Sequence, residues 1–472
     1  PRCRSLQDRD RISRQERPAR RATRSSALEQ GEPGQVPEGL GDVDRAPHGD
    51  SVRESTQTQR RSRGPWRGRS NGNHVAMIRP TRSIHPSRCR ACRYSPRMRA
   101  RDLGIAIGRG RPGPLNAITD VAGVTVGHTT LIRGDGPLAR GEGPVRTGVT
   151  VICPRGFEGW REPVYAGCHR LNGNGELTGL EWVRESGLLT TPVAITNTHS
   201  VGVVRDALVA ASVRLDPDDP SWSLPVVGET YDGVLNDMNG FHVHAEHLDA
   251  ALATAAGGPV AEGAVGGGTG MICHEFKGGI GTASRVTDPD VGGYTVGVLV
   301  QANYGRRDWL RVDGVRVGEA IPTSEVPSPW DHPAANPAPP PGSGSIIVVV
   351  ATDAPLLPHQ CERIAQRAGL GIARVGGTGG HTSGDLFIAF ATGNHLPSGT
   401  GADHDPSGTS TFTVRTVGDV VIDRLFDGVI EATEEAIVNA LVAAPTVVGR
   451  DGITAHALPH DRLREVLRAA GR

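Results

Sequence analysis

Five consecutive β-branched residues, Ile346-Ile347-Val348-Val349-Val350, constrain this chain more than any other stretch. With no polar alternation, such a run predicts a strand buried on both faces, and therefore a layer of structure on each side of its sheet. Gly344 and Ser345 stand at the mouth of the run. The twenty residues before them, 322–341, contain eight prolines and end Pro339-Pro340-Pro341. That composition predicts an extended, solvated tether over 322–343, unable to pack a core or extend a sheet. If the Gly344–Ser345 bond were cut, Ser345 would carry a free α-amine yet stay anchored by its strand. Its amine could then act as general base for its own hydroxyl. The competing reading makes Gly342-Ser343-Gly344-Ser345 the plain end of a linker.

Composition narrows the fold class. The chain of 472 residues has 64 glycines but only 7 Phe, 6 Trp and 5 Tyr, which favours tightly packed α/β layers over an all-β sandwich. No apolar run reaches the roughly 18 residues of a membrane-spanning helix, and no charged-then-apolar signal opens the chain. Seven cysteines, odd in number and scattered, predict reduced thiols in a cytoplasmic protein.

The formal charge is +0, but residues 1–97 hold 22 Arg against 10 Asp and Glu, a net of +12 that the remainder balances with −12. This leader lacks apolar periodicity and reads as disordered. A nucleic-acid-binding tail, a transit peptide and a segment outside the translated protein are the three explanations. The third is favoured, with the working chain starting at Met98, where the first ordered-looking stretch opens. A nucleic-acid role would rest on this leader alone. Its Cys89-Arg90-Ala91-Cys92 is a lone C-x-x-C, a weak zinc signal.

Further along, strands are predicted over Ile118–Val126, Gly148–Cys153, Thr191–Ile195, Tyr294–Val300 and Leu386–Phe390. Helices are predicted over Val203–Val213, Phe241–Ala256, 358–369, Asp427–Ala443 and 460–470. His242, His244 and His247 lack the spacing of a metal triad and read as helix-surface or satisfied polar histidines. The glycine loops Val265–Gly270 and Lys277–Ser284 lack the order of a phosphate cradle, so close backbone packing or a substrate-lining role fits them better. Asn303, just past a strand end, is placed to donate into a cleft, or else to cap a turn. Ser383 and Asp385, two apart at a strand entrance, would share one face and could orient a nucleophile.

Together these stretches resemble the DmpA-type family of self-processing aminopeptidases (L-aminopeptidase/D-esterase-amidase and β-peptidyl aminopeptidases). The matching text runs from Pro112-Gly113-Pro114-Leu115-Asn116-Ala117-Ile118-Thr119-Asp120-Val121 through Gly228-Glu229-Thr230-Tyr231-Asp232-Gly233 and the two glycine loops. It continues with Gln301-Ala302-Asn303-Tyr304-Gly305, Gly344 to Leu356, Glu434 to Ala440, and Gly449-Arg450-Asp451-Gly452. Residues 1–97 lie outside it. The resemblance implies a single catalytic domain, a four-layer αββα sandwich similar to N-terminal-nucleophile hydrolases.

It also implies cleavage between Gly344 and Ser345 into an α chain, 98–344, and a β chain, 345–472, which stay together and form a homo-oligomer. Ser345 becomes the nucleophile, Asn303 the oxyanion donor and Tyr231 the tyrosine beside the tetrahedral intermediate. Ser383 and Asp385 match the Ser and acidic residue that support the nucleophile, with Asp where some members carry the longer Glu. Glu229 suits an anionic contact for the free amine of a peptide, amide or ester substrate. No metal or organic cofactor is needed. The rivals are a β-peptide or oligoamide hydrolase on the same scaffold, a non-catalytic binding module, and an acyltransferase of the ornithine-acetyltransferase type, in which threonine replaces the serine.

Overall fold

The computed structural model describes residues 98–218, 222–335, 343–396 and 411–472. The Arg-rich leader with Cys89 and Cys92, the prolines at 337 and 339–341, and the loop 397–410 lie outside the described residues. In chain order the elements are β1 (Thr125–Arg133), β2 (Val145–Cys153), β3 (Val164–Gly173), α1 (Leu180–Ser186), β4 (Leu188–Leu189), β5 (Val193–Asn197), α2 (Val201–Leu215), β6 (Val226–Thr230) and α3 (Ala245–Ala253). A small hairpin follows, β7 (Ile272–Cys273) with β8 (Phe276–Lys277), then β9 (Gly279–Val286), β10 (Thr295–Tyr304), α4 (Val317–Ala320) and β11 (Gly344–Thr352). The chain closes with α5 (Pro358–Val375), β12 (Ser383–Ala391), α6 (Asp419–Ala443), the hairpin β13 (Val447–Val448) and β14 (Thr454–Ala455), and α7 (His460–Ala469).

Two main sheets result, a four-stranded one in the order β1-β2-β5-β6 and a six-stranded one in the order β4-β3-β12-β11-β10-β9. Strand alternation assigns the layers. Along β11, Ile346, Val348 and Val350 join Ile364, Ile372, Val429 and Ile437 of α5 and α6 in one core. Their neighbours Ile347, Val349 and Ala351 join Ile152, Val193, Ile195 and Val226 in a second core between the sheets. A third core packs Val149, Val151, Ala194 and Val227 against α2 and α3 through Val204, Leu208, Leu248 and Leu252. The architecture is therefore a four-layer αββα sandwich. Each Val or Ile so buried contributes roughly 1.5–3 kcal/mol, which is why an unbroken aliphatic run suits the central strand.

Close approach of helix to sheet accounts for much of the glycine. A Cβ on Gly281 of β9 would lie 1.9 Å from the Ala436 carbonyl of α6, and one on Gly167 of β3 would lie 2.3 Å from the Glu362 amide of α5. Polar cross-links fix the same layers. Buried Arg285 meets Glu435 at 2.7 Å, and Glu435 also holds Arg101 at 2.8 Å and the Asn116 amide at 2.6 Å. Glu435, conspicuous in the sequence, is thus architectural, and losing one partner of such a buried pair costs about 3–5 kcal/mol.

Several elements differ from the sequence reading. Ile118–Asp120 is a 3-10 turn and the strand begins only at Thr125, because the Asp120 carboxylate accepts the amides of Leu115 (2.9 Å) and Ala117 (3.1 Å) and curls the chain locally. Phe241 sits at φ 53°, so no helix passes through it and α3 starts at Ala245. His242 precedes that helix, buried and bonded to Asp237 at 3.0 Å, while His247 accepts the His244 amide at 2.9 Å. The helix predicted over 358–369 continues to Val375, where Gly376 at φ 106° ends it, and α6 begins at Asp419.

The largest departure is the tether. Residues 329–331 and 333–335 form 3-10 turns, and Val326, Ser328, Pro329 and Ala335 are buried. Proline's fixed φ suits the first position of a turn as well as an extended chain, and the apolar residues between the prolines decided for packing. Among the described residues Cys153, Cys168, Cys273 and Cys361 are free and buried, and no helix is long and apolar enough to cross a membrane.

Candidate active site

Ser345 is the second residue of β11, between Asn303 of β10 and Gly384 of β12 in the strand register. Its side chain shares the parity of Ile347 and so turns toward the space between the sheets. Only 7% of Ser345 is exposed, and its Oγ accepts the Gly384 amide at 3.3 Å. Asn303 lies inside β10, which runs on to Tyr304; it is not past a strand end. Its Oδ1 accepts the Ile272 amide at 2.8 Å, and its Nδ2 donates to the Tyr231 carbonyl at 2.9 Å. One Nδ2 proton is left for a further acceptor.

The glycine loops set up that orientation. Buried Lys277 donates to the carbonyls of Gly268, Met271 and Gly278 at 3.1, 2.7 and 2.8 Å, which fixes the turn that presents the Ile272 amide. The loops pack backbone against backbone, as a Cβ on Gly268 would lie 2.5 Å from the Ile280 nitrogen.

Gly344, immediately before Ser345, adopts φ 122°, where side chains are strained, and a Cβ there would lie 2.4 Å from the Asn303 carbonyl. Ser383 pairs with Gly344 and Asp385 with Ile346 in the parallel register. Both are buried, and the Ser383 hydroxyl donates to Asp385 at 2.6 Å. They share the parity of Phe387 and face the helical side, opposite the Ser345 hydroxyl. Burial pushes the Asp385 carboxyl up to about 6, with the Ser383 hydroxyl and the Ile346 backbone pulling it back.

Glu229 stands near the end of β6, buried, with its carboxylate accepting the Glu176 amide at 3.0 Å and the Thr198 hydroxyl. Burial raises its pKa, and these hydrogen bonds oppose the rise. Tyr231 is half-exposed, its phenol raised by burial and opposed by nearby Arg450, whose Nε donates to the Gly233 carbonyl at 2.8 Å.

Ser345, Gly344, Asn303, Tyr231, Glu229 and Arg450 line one cavity of about 1060 Å³, which Ser383 and Asp385 do not reach. Its charge is mostly negative. Glu176, Glu229, Glu275, Asp308, Glu319 and Asp331 face Arg306, Arg307 and Arg450. Such a cavity favours a cationic ligand, as a free amine is at neutral pH.

Comparison with known proteins agrees with this geometry. The model of Peptidase family S58 matches residues 116–455. The chain belongs to peptidase family S58. It is 53% identical over 375 residues to the β-peptidyl aminopeptidase BapA of Sphingosinicella microcystinivorans, covering 78% of this chain and 92% of that protein. The solved Burkholderia sp. β-aminopeptidase has 56% identity and a TM-score of 0.72, covering 79% of this chain and 99% of its own. The L-aminopeptidase D-Ala-esterase/amidase of Ochrobactrum anthropi, described as a variant of the Ntn hydrolase fold, has 45% identity and a TM-score of 0.71 over 79% and 99%. This S58 chain is accordingly an aminopeptidase, a hydrolase with the N-terminal-nucleophile-hydrolase fold. The binding-module and acyltransferase readings fall with that assignment.

Sequence reasoning left several residues of the cavity wall unassigned. Thr198 and Glu176, which hold Glu229, come from separate loops with no pattern linking them. Arg450 had a signal in Gly449-Arg450-Asp451-Gly452, although nothing in that motif gave it a place beside Tyr231. Trp330 was hidden in the presumed tether and also lines the cavity.

Proposed function

We propose that Ser345 is the nucleophile of this aminopeptidase and that it becomes a chain N-terminus by cleavage of Gly344–Ser345. Supporting this is the row Asn303–Ser345–Gly384 at the edge of an acidic cavity, preceded by a glycine at φ 122°. In the precursor, Ser345 Oγ adds to the Gly344 carbonyl carbon. The C–N bond breaks, the nitrogen takes up the hydroxyl proton, and an ester remains. Water hydrolyses the ester to a Gly344 carboxylate and a free Ser345 amine. Chains 98–344 and 345–472 then stay associated, because β3 and β10 of the first pair with β12 and β11 of the second.

In turnover the neutral Ser345 amine, with an ordinary pKa of about 8, accepts the hydroxyl proton as Oγ attacks the substrate carbonyl. The free Nδ2 proton of Asn303 and backbone N–H groups stabilise the oxyanion. The amine returns the proton to the leaving nitrogen, and water releases the acyl group. Ser383 and Asp385, on the opposite face, hold the Ser345 amine from behind the strand. Glu229 receives the substrate's ammonium group, and Tyr231 flanks the intermediate. The released residues include β-amino acids, given the activities named for the Sphingosinicella and Burkholderia relatives.

Denaturing intact mass of wild type beside Ser345→Ala tests this reading. The wild type should separate into two chains split at Gly344–Ser345, and the mutant should stay whole and fail to hydrolyse alanyl and β-alanyl amides. A whole wild-type chain that still cleaves these amides would overturn Ser345 as nucleophile. Equal inertness toward β-alanyl amides in an otherwise active enzyme would overturn the β-amino acid reading.

A further inference from the structure

Residues of the segment 322–335 stand in the cavity wall together with Ser345, and the segment is anchored to residues on both sides of the cut. Arg307, its guanidinium 3.5 Å over the Phe276 ring, donates to the carbonyls of Ile321 at 3.2 Å and Val326 at 2.9 Å. Glu325 pairs with Arg462 of α7 at 2.6 Å. The turn carrying Trp330 is closed from both ends, as the Ser328 amide donates to Asp331 at 2.9 Å and the Trp330 amide to the Ser328 hydroxyl at 3.2 Å. The Trp330 ring packs on a small core of Val234, Leu235, Ile272, Ala335, Ile453 and Ala455. None of these contacts involves the Gly344–Ser345 bond, so cleavage leaves the segment in place.

Within the mostly acidic cavity, Trp330, Val234, Ile272 and Ala335 form a contiguous apolar patch. It lies close to the nucleophile row, since the Ile272 amide bonds the Asn303 side chain at 2.8 Å and Asn303 pairs with Ser345. We propose that Trp330 is a specificity-determining residue, its ring forming the wall on which the apolar side chain of the substrate's N-terminal residue packs. The inference rests on the reading of Ser345 above. It names the substrate class as peptides and amides whose first residue joins a free ammonium to a large apolar side chain. The carboxylates take the first group and the patch takes the second.

The test uses the full chain as wild type, Trp330→Ala and Trp330→Phe, with intact mass alongside kcat/KM on leucyl, phenylalanyl and alanyl amides. Both variants should be cut as the wild type is. Trp330→Ala should lower kcat/KM for leucyl and phenylalanyl amides about tenfold or more relative to the alanyl amide, mainly through KM, and Trp330→Phe should recover most of it. A cut variant slowed equally on all three amides, or on none, would overturn the role of Trp330 alone. An uncut wild type would instead overturn the Ser345 reading, and this inference with it.

Discussion

Two rows of residues cross the end of the large sheet, one on each face of the same three strands. On the face toward the other sheet stand Asn303, Ser345 and Gly384; one residue back, on the helical face, stand Tyr304, Gly344 and Ser383, of which Tyr304 and Gly344 also reach the cavity wall. The first row is polar and open, with a backbone amide on the serine oxygen and a carboxamide beside it. The second is buried at Tyr304 and Ser383. The Tyr304 hydroxyl has no hydrogen-bond partner among the described residues, and burial holds its pKa well above the ordinary value. The Ser383 hydroxyl in the same row donates a hydrogen bond to Asp385. A strand exposes its side chains alternately but its nitrogen to neither face alone. In the proposed mechanism the Ser345 hydroxyl is therefore served from the cavity, and its amine from the far side.

That contrast predicts different losses from the two faces. On the cavity side, Asn303→Ala should lower kcat by roughly 10²–10³ with cleavage slowed in parallel, read from single-turnover rates and intact mass. An unchanged kcat would remove Asn303 from the oxyanion site.

On the far side the signature is a pH profile. In the proposed mechanism the charged form of Asp385 steadies the protonated Ser345 amine, so with its carboxyl pushed up to about 6 Asp385 should impose an acid limb near that pH on kcat/KM. Asp385→Asn should erase the limb and cost roughly 10²-fold. Stability runs the other way. A carboxyl raised from 3.8 to about 6 on folding adds stability that is complete below 3.8 and is lost as pH rises through about 6. Between those values Asp385→Asn should flatten the fall in Tm, which scanning fluorimetry would follow.

The smallest effect is expected at Glu229, where Gln keeps an acceptor for the Glu176 amide but removes the charge. Glu229→Gln should raise KM about tenfold with little change in kcat. A similar kcat loss on all substrates would mean that Glu229 only supports the loop.

How far the site was legible varied with the kind of signal. Ser345 stood out because a polar residue opens an unbroken aliphatic run, and Ser383 and Asp385 because spacing by two places side chains on one face. Asn303 was noticed but put past the strand end, since Gln301 and Asn303 break the apolar pattern although β10 continues through them. Those polar side chains face the site and its support, with Gln301 donating to the Thr196 carbonyl and the Thr230 hydroxyl, both at 2.9 Å. Trp330 was missed because proline density was taken as solvation.

By itself the sequence determined the buried central strand and the layer of structure on each of its faces, while the four-layer αββα arrangement came from the family resemblance. The strand is a local demand, since an aliphatic run has to be covered on both faces. Only the tertiary structure decided that Asn303 stands beside Ser345, that Asp385 lies behind it, and that 322–335 is a wall. Register between strands far apart in the chain depends on the whole sheet. A proline's fixed φ suits an extended chain and a 3-10 turn alike, so the choice fell to the apolar surface that Trp330 and Ala335 could bury.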